Sequence, residues 1–111
     1  MADKIKLVQG DTFPIVRLTL TDPVTGSAIN LSDSTTSIKV YFREAGTTTI
    51  LATISCTKLN GGSTGQVQFN FSSGVLNVEP GAYEGEIEIN FDGQTQTVYE
   101  LLKFTVRKQF S

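Results

Sequence analysis

The sequence predicts an all-β domain that folds as an antiparallel β-sandwich of seven or eight strands. Apolar and polar residues alternate with a period of two along most of the 111 residues, which is typical of half-buried strands. Turn-forming pairs, among them Asn60 with Gly61 and Asp92 with Gly93, separate the alternating segments. No segment shows the helical period of about 3.6 residues, so two sheets packed face to face fit the pattern best.

Two strands are predicted in the N-terminal part of the chain. Ile5 and Leu7 alternate with lysines and form the apolar side of a short first strand. Pro14 cannot donate a ladder hydrogen bond, so it separates this strand from the second one, residues 15–21, in which Val16, Leu18 and Leu20 share one face. Residues 22–26 follow as a turn, because proline presets one backbone dihedral and glycine accepts a positive one.

The middle of the chain contains three further predicted strands. Residues 37–43 give the clearest alternation, since their even-numbered positions are apolar and their odd-numbered positions are polar. Residues 50–56 form the next strand, in which Cys56 is the last inward position. Residues 67–71 repeat the alternation. The glycine-rich stretch 61–65 between these two strands is predicted to be a flexible hairpin tip.

An irregular piece at 72–81 precedes the last two predicted strands. Residues 83–91 form a long strand with acidic outward positions, and Asp92 with Gly93 closes the strongest hairpin signal in the chain. A one-residue slip of phase within the returning strand predicts a β-bulge. The inward positions on the two sides of this slip are Thr97, Tyr99 and Leu101, followed by Leu102, Phe104 and Val106.

One domain is expected, residues 1–111, in which residues 1–14 are an N-terminal arm that includes the first strand. A chain of 111 residues fits one hydrophobic core, and no shift of composition marks a boundary. No run approaches the roughly 20 apolar residues that a membrane helix needs. The charged first residues are unlike a signal peptide, so we expect a soluble protein.

Composition argues against several classes of function. The chain has 0 histidines, which excludes Ser-His-Asp triads, Cys-His pairs and histidine-based zinc sites. Cys56 is the only cysteine, so an internal disulfide and a multi-thiolate metal site are also excluded. The formal net charge is -2 and no basic stripe exists, which disfavours nucleic acid. We therefore expect no enzymatic activity, no cofactor or metal, no nucleic-acid partner and no membrane insertion.

Three features are candidates for chemistry, and each has a simpler structural interpretation. Glu84, Glu86 and Glu88 share one strand face, where we expect solvated carboxylates that discourage edge pairing, because a flat face offers no cleft for an acid-base pair. Cys56 continues an apolar alternation and is interpreted as a small buried hydrophobe. The glycines at 61–65 are followed by neither the lysine nor the helix of a phosphate-binding loop.

Two segments carry a resemblance to a known family. The first is the lead-in QGDTFP at 9–14 with the strand that follows it and the strand at 38–43. The second is GAYEGEIEI at 81–89 with the hairpin pair after it and residues 104–106. Together they cover most of the chain and resemble the N-terminal domain of phage baseplate upper proteins and related phage tail modules. The lead-in is unusual, whereas many sandwich domains share the later pattern.

The resemblance implies an immunoglobulin-like β-sandwich that serves as a docking or assembly unit of a virion. The chain is then expected to be a non-enzymatic structural protein, a tail or baseplate assembly component, located in the virion and assembled in the host cytoplasm. No stalk or receptor-binding region follows the domain in this sequence, so a capsid decoration (cement) protein is an alternative. A carbohydrate-binding module that contacts the host surface is an alternative from another class, although it would need an aromatic platform.

The expected partners are other virion proteins and further copies of the chain in a homo-oligomer or symmetric array. A terminal strand interrupted by Gly10 and Pro14 can leave its own sheet and add to a neighbour's sheet. Tyr41 is added as an interface candidate because it lies in the polar phase of its strand. The residues predicted to bind a partner are Gln9, Gly10, Asp11, Thr12, Phe13, Pro14 and Tyr41.

Overall fold

The computed structural model describes residues 5–72, 74–98 and 101–110. These residues form nine strands: β1 Ile5–Val8, β2 Ile15–Thr19, β3 Thr36–Glu44, β4 Ala52–Ser55, β5 Thr57–Lys58, β6 Gln66–Asn70, β7 Gly81–Phe91, β8 Gln94–Thr97 and β9 Leu102–Arg107. A short 3₁₀ turn, Asn60–Gly62, connects β5 to β6. The prediction of an all-β fold is confirmed.

The strands form two sheets that pack against each other. The six-stranded sheet has the order β1-β9-β7-β3-β4, with β8 also paired to β7, and the three-stranded sheet has the order β2-β6-β5. All pairs of described strands are antiparallel except β1 with β9, which is parallel. The predicted sandwich is therefore correct in architecture, with one more strand than expected and one parallel pair. Two sheets packed face to face make this a β-sandwich.

The first strand joins the six-stranded sheet rather than the three-stranded one. β1 pairs with β9 over its whole length, with Ile5 opposite Phe104 and Leu7 opposite Val106. Leu7 is buried in the core, which fixes this position. In constant-type immunoglobulin domains the first strand shares a sheet with the second. Here β1 lies elsewhere, so within the described residues β2 pairs with β6 alone and its other edge is open.

The core lies between the sheets, where the inward positions of both meet. Its centre is aromatic: the ring of Phe42 stacks on Tyr83 at 5.2 Å between centroids and meets the edges of Phe71 and Phe104 at 6.0 and 5.5 Å. Such offset and edge-to-face pairs stabilise a core beyond their buried area. The buried apolar residues are Leu7, Val16, Leu18, Leu20, Leu31, Ile38, Val40, Phe42, Ile54, Val67, Phe69, Phe71, Leu76, Tyr83, Ile87, Ile89, Leu102, Phe104 and Val106.

Tyr83 is near the start of β7 and has a polar role as well as a packing role. Its hydroxyl donates a hydrogen bond to the main-chain carbonyl of Glu79, four residues upstream. Burial raises the pKa of this phenol, so the donor stays protonated. A tyrosine that bonds back to the backbone before this strand is the tyrosine corner of immunoglobulin-like sandwiches.

The returning strand differs from the sequence prediction. From the pair Gly85 and Leu102 to the pair Glu88 and Thr97, β7 advances by 88 - 85 = 3 residues and the returning chain by 102 - 97 = 5. Two extra residues conserve the alternation of side chains, so half-buried Val98 and buried Leu102 share the inward phase. The predicted one-residue slip is therefore wrong. Thr97 is exposed, and Tyr99 lies outside the described residues.

The glycine-rich stretch 61–65 is packed rather than being a flexible tip. Gly62 and Gly65 are both buried and both have positive φ. The amide of Leu31 donates to the carbonyl of Gly62, and that of Leu20 donates to the carbonyl of Gly65, each at 2.8 Å. A Cβ on either glycine would lie 2.6 Å from a backbone oxygen. Glycine is required here because the chain passes directly against the segment that follows β2.

Candidate partner-binding site

The first part of the predicted binding segment is anchored to its own domain. The amide of Gln9 donates to the carbonyl of Arg107 at 2.9 Å, and its side-chain amide donates to the carbonyl of Val78 at 2.9 Å. The amide of Gly10 donates to the carbonyl of Leu76, also at 2.9 Å. Residues 5–10 are therefore part of the six-stranded sheet and its border. The hypothesis that this arm adds to a neighbour's sheet would require these bonds to break.

The second part of the segment projects from the domain. Phe13 is 91% exposed, and Ile15, the first residue of β2, is 55% exposed. Large apolar side chains are normally buried, so two neighbouring ones in water are informative. They border an open depression of about 580 Å³, which we call the Phe13 groove. Its lining consists of Thr12, Phe13, Ile15, Thr57, Gln68, Phe69, Asn70, Phe71 and Ser72.

Polar groups from β5 and β6 supply the floor of the Phe13 groove. Gln68 stands opposite Arg17 of β2 and Thr57 of β5. Its side-chain carbonyl oxygen Oε1 is buried and has no hydrogen-bond partner among the described residues. A buried acceptor left without a donor costs about 1–3 kcal/mol.

The open edge of β2 runs beside the groove. The amide of Leu20 donates to the carbonyl of Gly65 in the register that pairs β2 with β6. Alternate residues of an antiparallel strand turn their amide and carbonyl groups to the same side. Arg17 and Thr19 therefore turn theirs toward the open edge, where another strand can pair with them.

Tyr41 is not part of this site. It lies on the outer face of the six-stranded sheet, whereas the Phe13 groove lies on the outer face of the three-stranded sheet, so the two are on opposite sides of the sandwich. Tyr41 is half-buried, and its hydroxyl donates to Oε1 of Glu88 at 2.9 Å. This hydrogen bond raises the pKa of the Tyr41 phenol, because ionisation would lose it.

The carboxylates of β7 are paired with neighbouring strands. Both oxygens of Glu84 are used: Oε1 lies 3.2 Å from Nε of Arg43 and Oε2 lies 3.1 Å from Nζ of Lys103. The hydrogen bond from Lys103, followed by that from Arg43, lowers the pKa of Glu84. Glu84 is itself buried, which corrects the expectation of a solvated carboxylate there. We call Tyr41, Arg43, Glu84, Glu88 and Lys103 the charged face.

Other candidate sites show no chemistry in the described part of the chain. Cys56 is half-buried, and burial raises the pKa of its thiol to about 12, which leaves it protonated and unreactive at neutral pH. No group of three or more potential ligand residues lies close enough to hold a metal ion within residues 5–72, 74–98 and 101–110. The same residues contain no helix with the length and hydropathy of a membrane span.

Sequence reasoning missed the polar and apolar residues that complete the groove. Gln68 and Asn70 are in the polar phase of β6, which identified them as outward-facing but gave no reason to connect them with Phe13. Ile15 breaks the alternation of its strand, since its neighbours in the same phase are Arg17 and Thr19. An apolar side chain in an outward phase was the signal that would have found the site.

Comparisons with known proteins give no information on the function of this chain. The chain matches no protein-family model, and a search of curated proteins finds no match either. Its fold is a β-sandwich, an architecture that carries many unrelated functions. The functional argument therefore depends on the groove, the open strand edges and the charges of this chain.

Proposed function

We propose that this chain is a non-enzymatic structural protein of a bacteriophage virion, where it serves as a tail or baseplate assembly component. The observation that carries the docking role is the Phe13 groove, an open depression bordered by two exposed apolar side chains, Phe13 and Ile15. The phage assignment is supported by the resemblance of residues 9–14 and 81–89 to phage tail modules.

The groove suits an extended segment of a partner protein. Such a segment would pair its backbone with the open edge of β2, as in strand addition. An apolar side chain of the partner would pack on Phe13 and Ile15, and its polar groups would meet the exposed side chain of Asn70. Exposed aromatic residues that become buried on association contribute much of the binding free energy of an interface.

Binding rather than catalysis is supported by the character of the ionisable groups. Glu84 is engaged by two cations, and Glu88 accepts a hydrogen bond from Tyr41. The thiol of Cys56 is protonated. A general acid or base needs a pKa close to the working pH, and neither Glu84, whose pKa is lowered, nor Cys56, whose pKa is raised to about 12, has one.

Incorporation into particles tests the proposal. A phage lacking its own copy of the gene is complemented with wild type, Phe13→Ser or Val24→Ser, and the protein in purified particles is quantified. Val24 is the matched control, since it is 91% exposed like Phe13 but lies in the turn after β2. Substitution is preferable to deletion of residues 1–14, because that deletion would also remove β1 and the buried side chain of Leu7.

The expected result is a loss of at least about tenfold for Phe13→Ser, the scale of one hot-spot residue, with normal incorporation of Val24→Ser. Absence of the wild-type protein from particles would refute the virion assignment. Equal incorporation of all three proteins would refute the Phe13 groove as the docking site. Separating heads from tails distinguishes a tail component from a capsid decoration (cement) protein.

A carbohydrate-binding module is the second candidate, and the lining of the groove favours it. Thr12, Thr57 and Ser72 provide hydroxyls, Gln68 and Asn70 provide amides, and Phe13 provides one aromatic ring. Sugars are bound by this combination of hydrogen-bonding groups and a stacking surface. A glycan array probed with wild type and Phe13→Ser decides between the candidates, since signal lost in the variant would favour the sugar.

A further inference from the structure

Five of the described strands have one side without a neighbouring strand, and four of them are polar or charged. β1 carries Lys6, β2 carries Arg17 and β5 carries Lys58. β8 contains only glutamine and threonine. Charged or polar side chains on edge strands discourage pairing with other chains, because pairing would bury them or bring like charges together.

β4 is the exception. Residues 45–57 contain neither a charged residue nor a proline, and β4 is in the middle of this run. The two residues before β4 are apolar and partly in water, with Ile50 53% exposed and Leu51 48% exposed. An uncharged edge rich in β-branched residues, with apolar side chains next to it, is the kind of edge that pairs with another strand.

The backbone of β4 is available for such pairing. The amide of Cys56 donates to the carbonyl of Ile38 at 2.9 Å, in the register that places Ile54 opposite Val40. Alternate residues turn their amide and carbonyl groups to the same side, so Thr53 and Ser55 turn theirs away from β3. Their side chains are exposed, and within the described residues β4 pairs with β3 alone.

We propose that β4 binds β4 of a second copy of this chain in antiparallel orientation, which joins the two six-stranded sheets across a two-fold axis. This interface goes beyond the docking role of the Phe13 groove, which lies on the other sheet. An isologous contact must be complementary to itself. β4 meets this condition because it brings no charge to the axis, whereas β2 paired about its centre would place Arg17 opposite Arg17.

The alternation of side chains along β4 also favours pairing with β4 of a second copy. Edge bonds form only when the outward-turned residues of the two strands meet, which pairs odd-numbered residues with odd-numbered ones and even with even. With Thr53 opposite Thr53, Ala52 faces Ile54 on the core side in both halves of the pair. The pairing is confined to Ala52–Ser55, because the amide of Leu51 already donates to the carbonyl of Phe42 in β3.

The affinity is set by the length of the strand. A four-residue strand with its flanks buries less than the roughly 1,200 Å² of a stable interface, so the pair is weak, with a Kd on the order of 10–100 µM. Weak two-fold contacts suffice in an assembly where a second contact holds each copy in place, because the second binding event is then intramolecular.

Sedimentation velocity across a concentration series tests the proposal with wild type, Thr53→Lys and Thr95→Lys. Thr53→Lys places two ammonium groups at the two-fold axis and is expected to abolish the dimer. Thr95→Lys makes the same change at an exposed position of β8, another strand with one side unpaired, and is the matched control. Circular dichroism and thermal melting establish that each variant is folded.

Support consists of a concentration-dependent dimer for wild type and Thr95→Lys and a monomer for folded Thr53→Lys. A wild type that stays monomeric to about 1 mM, the upper end of weak association, overturns the proposal. A dimer that persists in Thr53→Lys, or one lost in Thr95→Lys, overturns it as well, since the contact would then be at another edge. Amide hydrogen exchange gives an independent readout, because Thr53 and Ser55 should slow as concentration rises.

Discussion

The two outer faces of the sandwich have opposite characters. On the six-stranded sheet, the charged face satisfies its own polar groups: Glu84 is held by Arg43 and Lys103, and Glu88 by Tyr41. On the three-stranded sheet, the Phe13 groove combines an exposed aromatic ring with Gln68, whose buried Oε1 has no donor among the described residues. Groups that are already paired gain little from a partner, whereas unpaired groups gain a great deal.

This difference follows from the position of β1. By pairing with β9, β1 gives the six-stranded sheet an additional strand and leaves β2 with an open edge. The chain must then cross from one sheet to the other between β1 and β2, and Phe13 lies on that crossing. A connection between sheets is exposed by necessity, so it is a suitable place for binding residues.

The largest effect is expected where the groove meets the core. Phe71 lines the groove but is fully buried, and its ring meets Phe42, Phe69 and Phe104 at centroid distances of 6.0, 5.6 and 6.0 Å. Phe71→Ala should lower the free energy of unfolding by about 3–5 kcal/mol. Phe13→Ala should change it by less than about 0.5 kcal/mol, because that ring is in water.

Urea unfolding followed by circular dichroism measures both values. A large loss of stability from Phe13→Ala would show that this residue is part of the fold, and the contrast between the floor and the rim of the groove would fail.

The next largest loss of stability is expected in the glycine-rich stretch 61–65. Gly62 and Gly93 have similar positive φ values, 88° and 94°, but only Gly62 has atoms in the way of a Cβ. Alanine in this left-handed region costs about 1–2 kcal/mol at either position. Gly62→Ala should cost about 1–2 kcal/mol more, because its Cβ would lie 2.6 Å from the carbonyl oxygen of Leu31.

Thermal unfolding of the two variants side by side provides the measurement. Equal losses in the two proteins would mean that the loop at 61–65 yields to the added methyl group and is flexible, as the sequence had indicated.

The inward and outward positions of the strands could be predicted from the sequence, whereas the pairing of the strands could not, and this difference has a physical cause. Side-chain alternation is a local property, so the inward phase of Val40, Phe42 and Ile87 was predictable from period two. The partners of each strand depend on contacts distant in sequence, and nothing around Ile5 indicates a parallel pairing with β9.

The candidate site shows the same limit. Phe13 was identified within a resembling segment, but Gln68 is distant in sequence and joins it only through the pairing of β2 with β6. The loop at 61–65 was predicted to be flexible because the sequence does not distinguish a glycine in a free turn from a glycine in a tight contact. The close approach of Leu31 that distinguishes the two is a tertiary contact.

A smaller effect on stability is expected when the ion pairs of Glu84 on the charged face are removed. The pKa of Glu84 is lowered from its ordinary value of 4.5, so its ion pairs stabilise the fold above that pH. That contribution is lost as the pH falls through the lowered pKa, because the folded carboxylate then takes up a proton. Glu84→Gln should lack this part of the acid dependence and should cost less than about 1 kcal/mol at neutral pH.

Unfolding free energies measured at a series of pH values from neutral to acidic test this for wild type, Glu84→Gln and Glu86→Gln. Glu86 is the matched control on the same strand face, since the described residues show no ion pair for it. If Glu84→Gln and wild type lose stability in parallel as the pH falls, the ion pairs do not contribute in the way proposed.

The smallest effect is expected at Tyr41, and it separates the charged face from the binding surface. Tyr41→Phe removes one hydroxyl from a half-buried position where water can replace it on Glu88, so the free energy of unfolding should barely change. Tyr83→Phe removes the tyrosine corner bond from a buried ring and should cost about 1 kcal/mol. Particles complemented with Tyr41→Phe should contain as much protein as wild type, because Tyr41, Glu84 and Glu88 are already bonded to neighbours within the domain. Reduced incorporation of a stable Tyr41→Phe protein would move the docking surface to the six-stranded sheet.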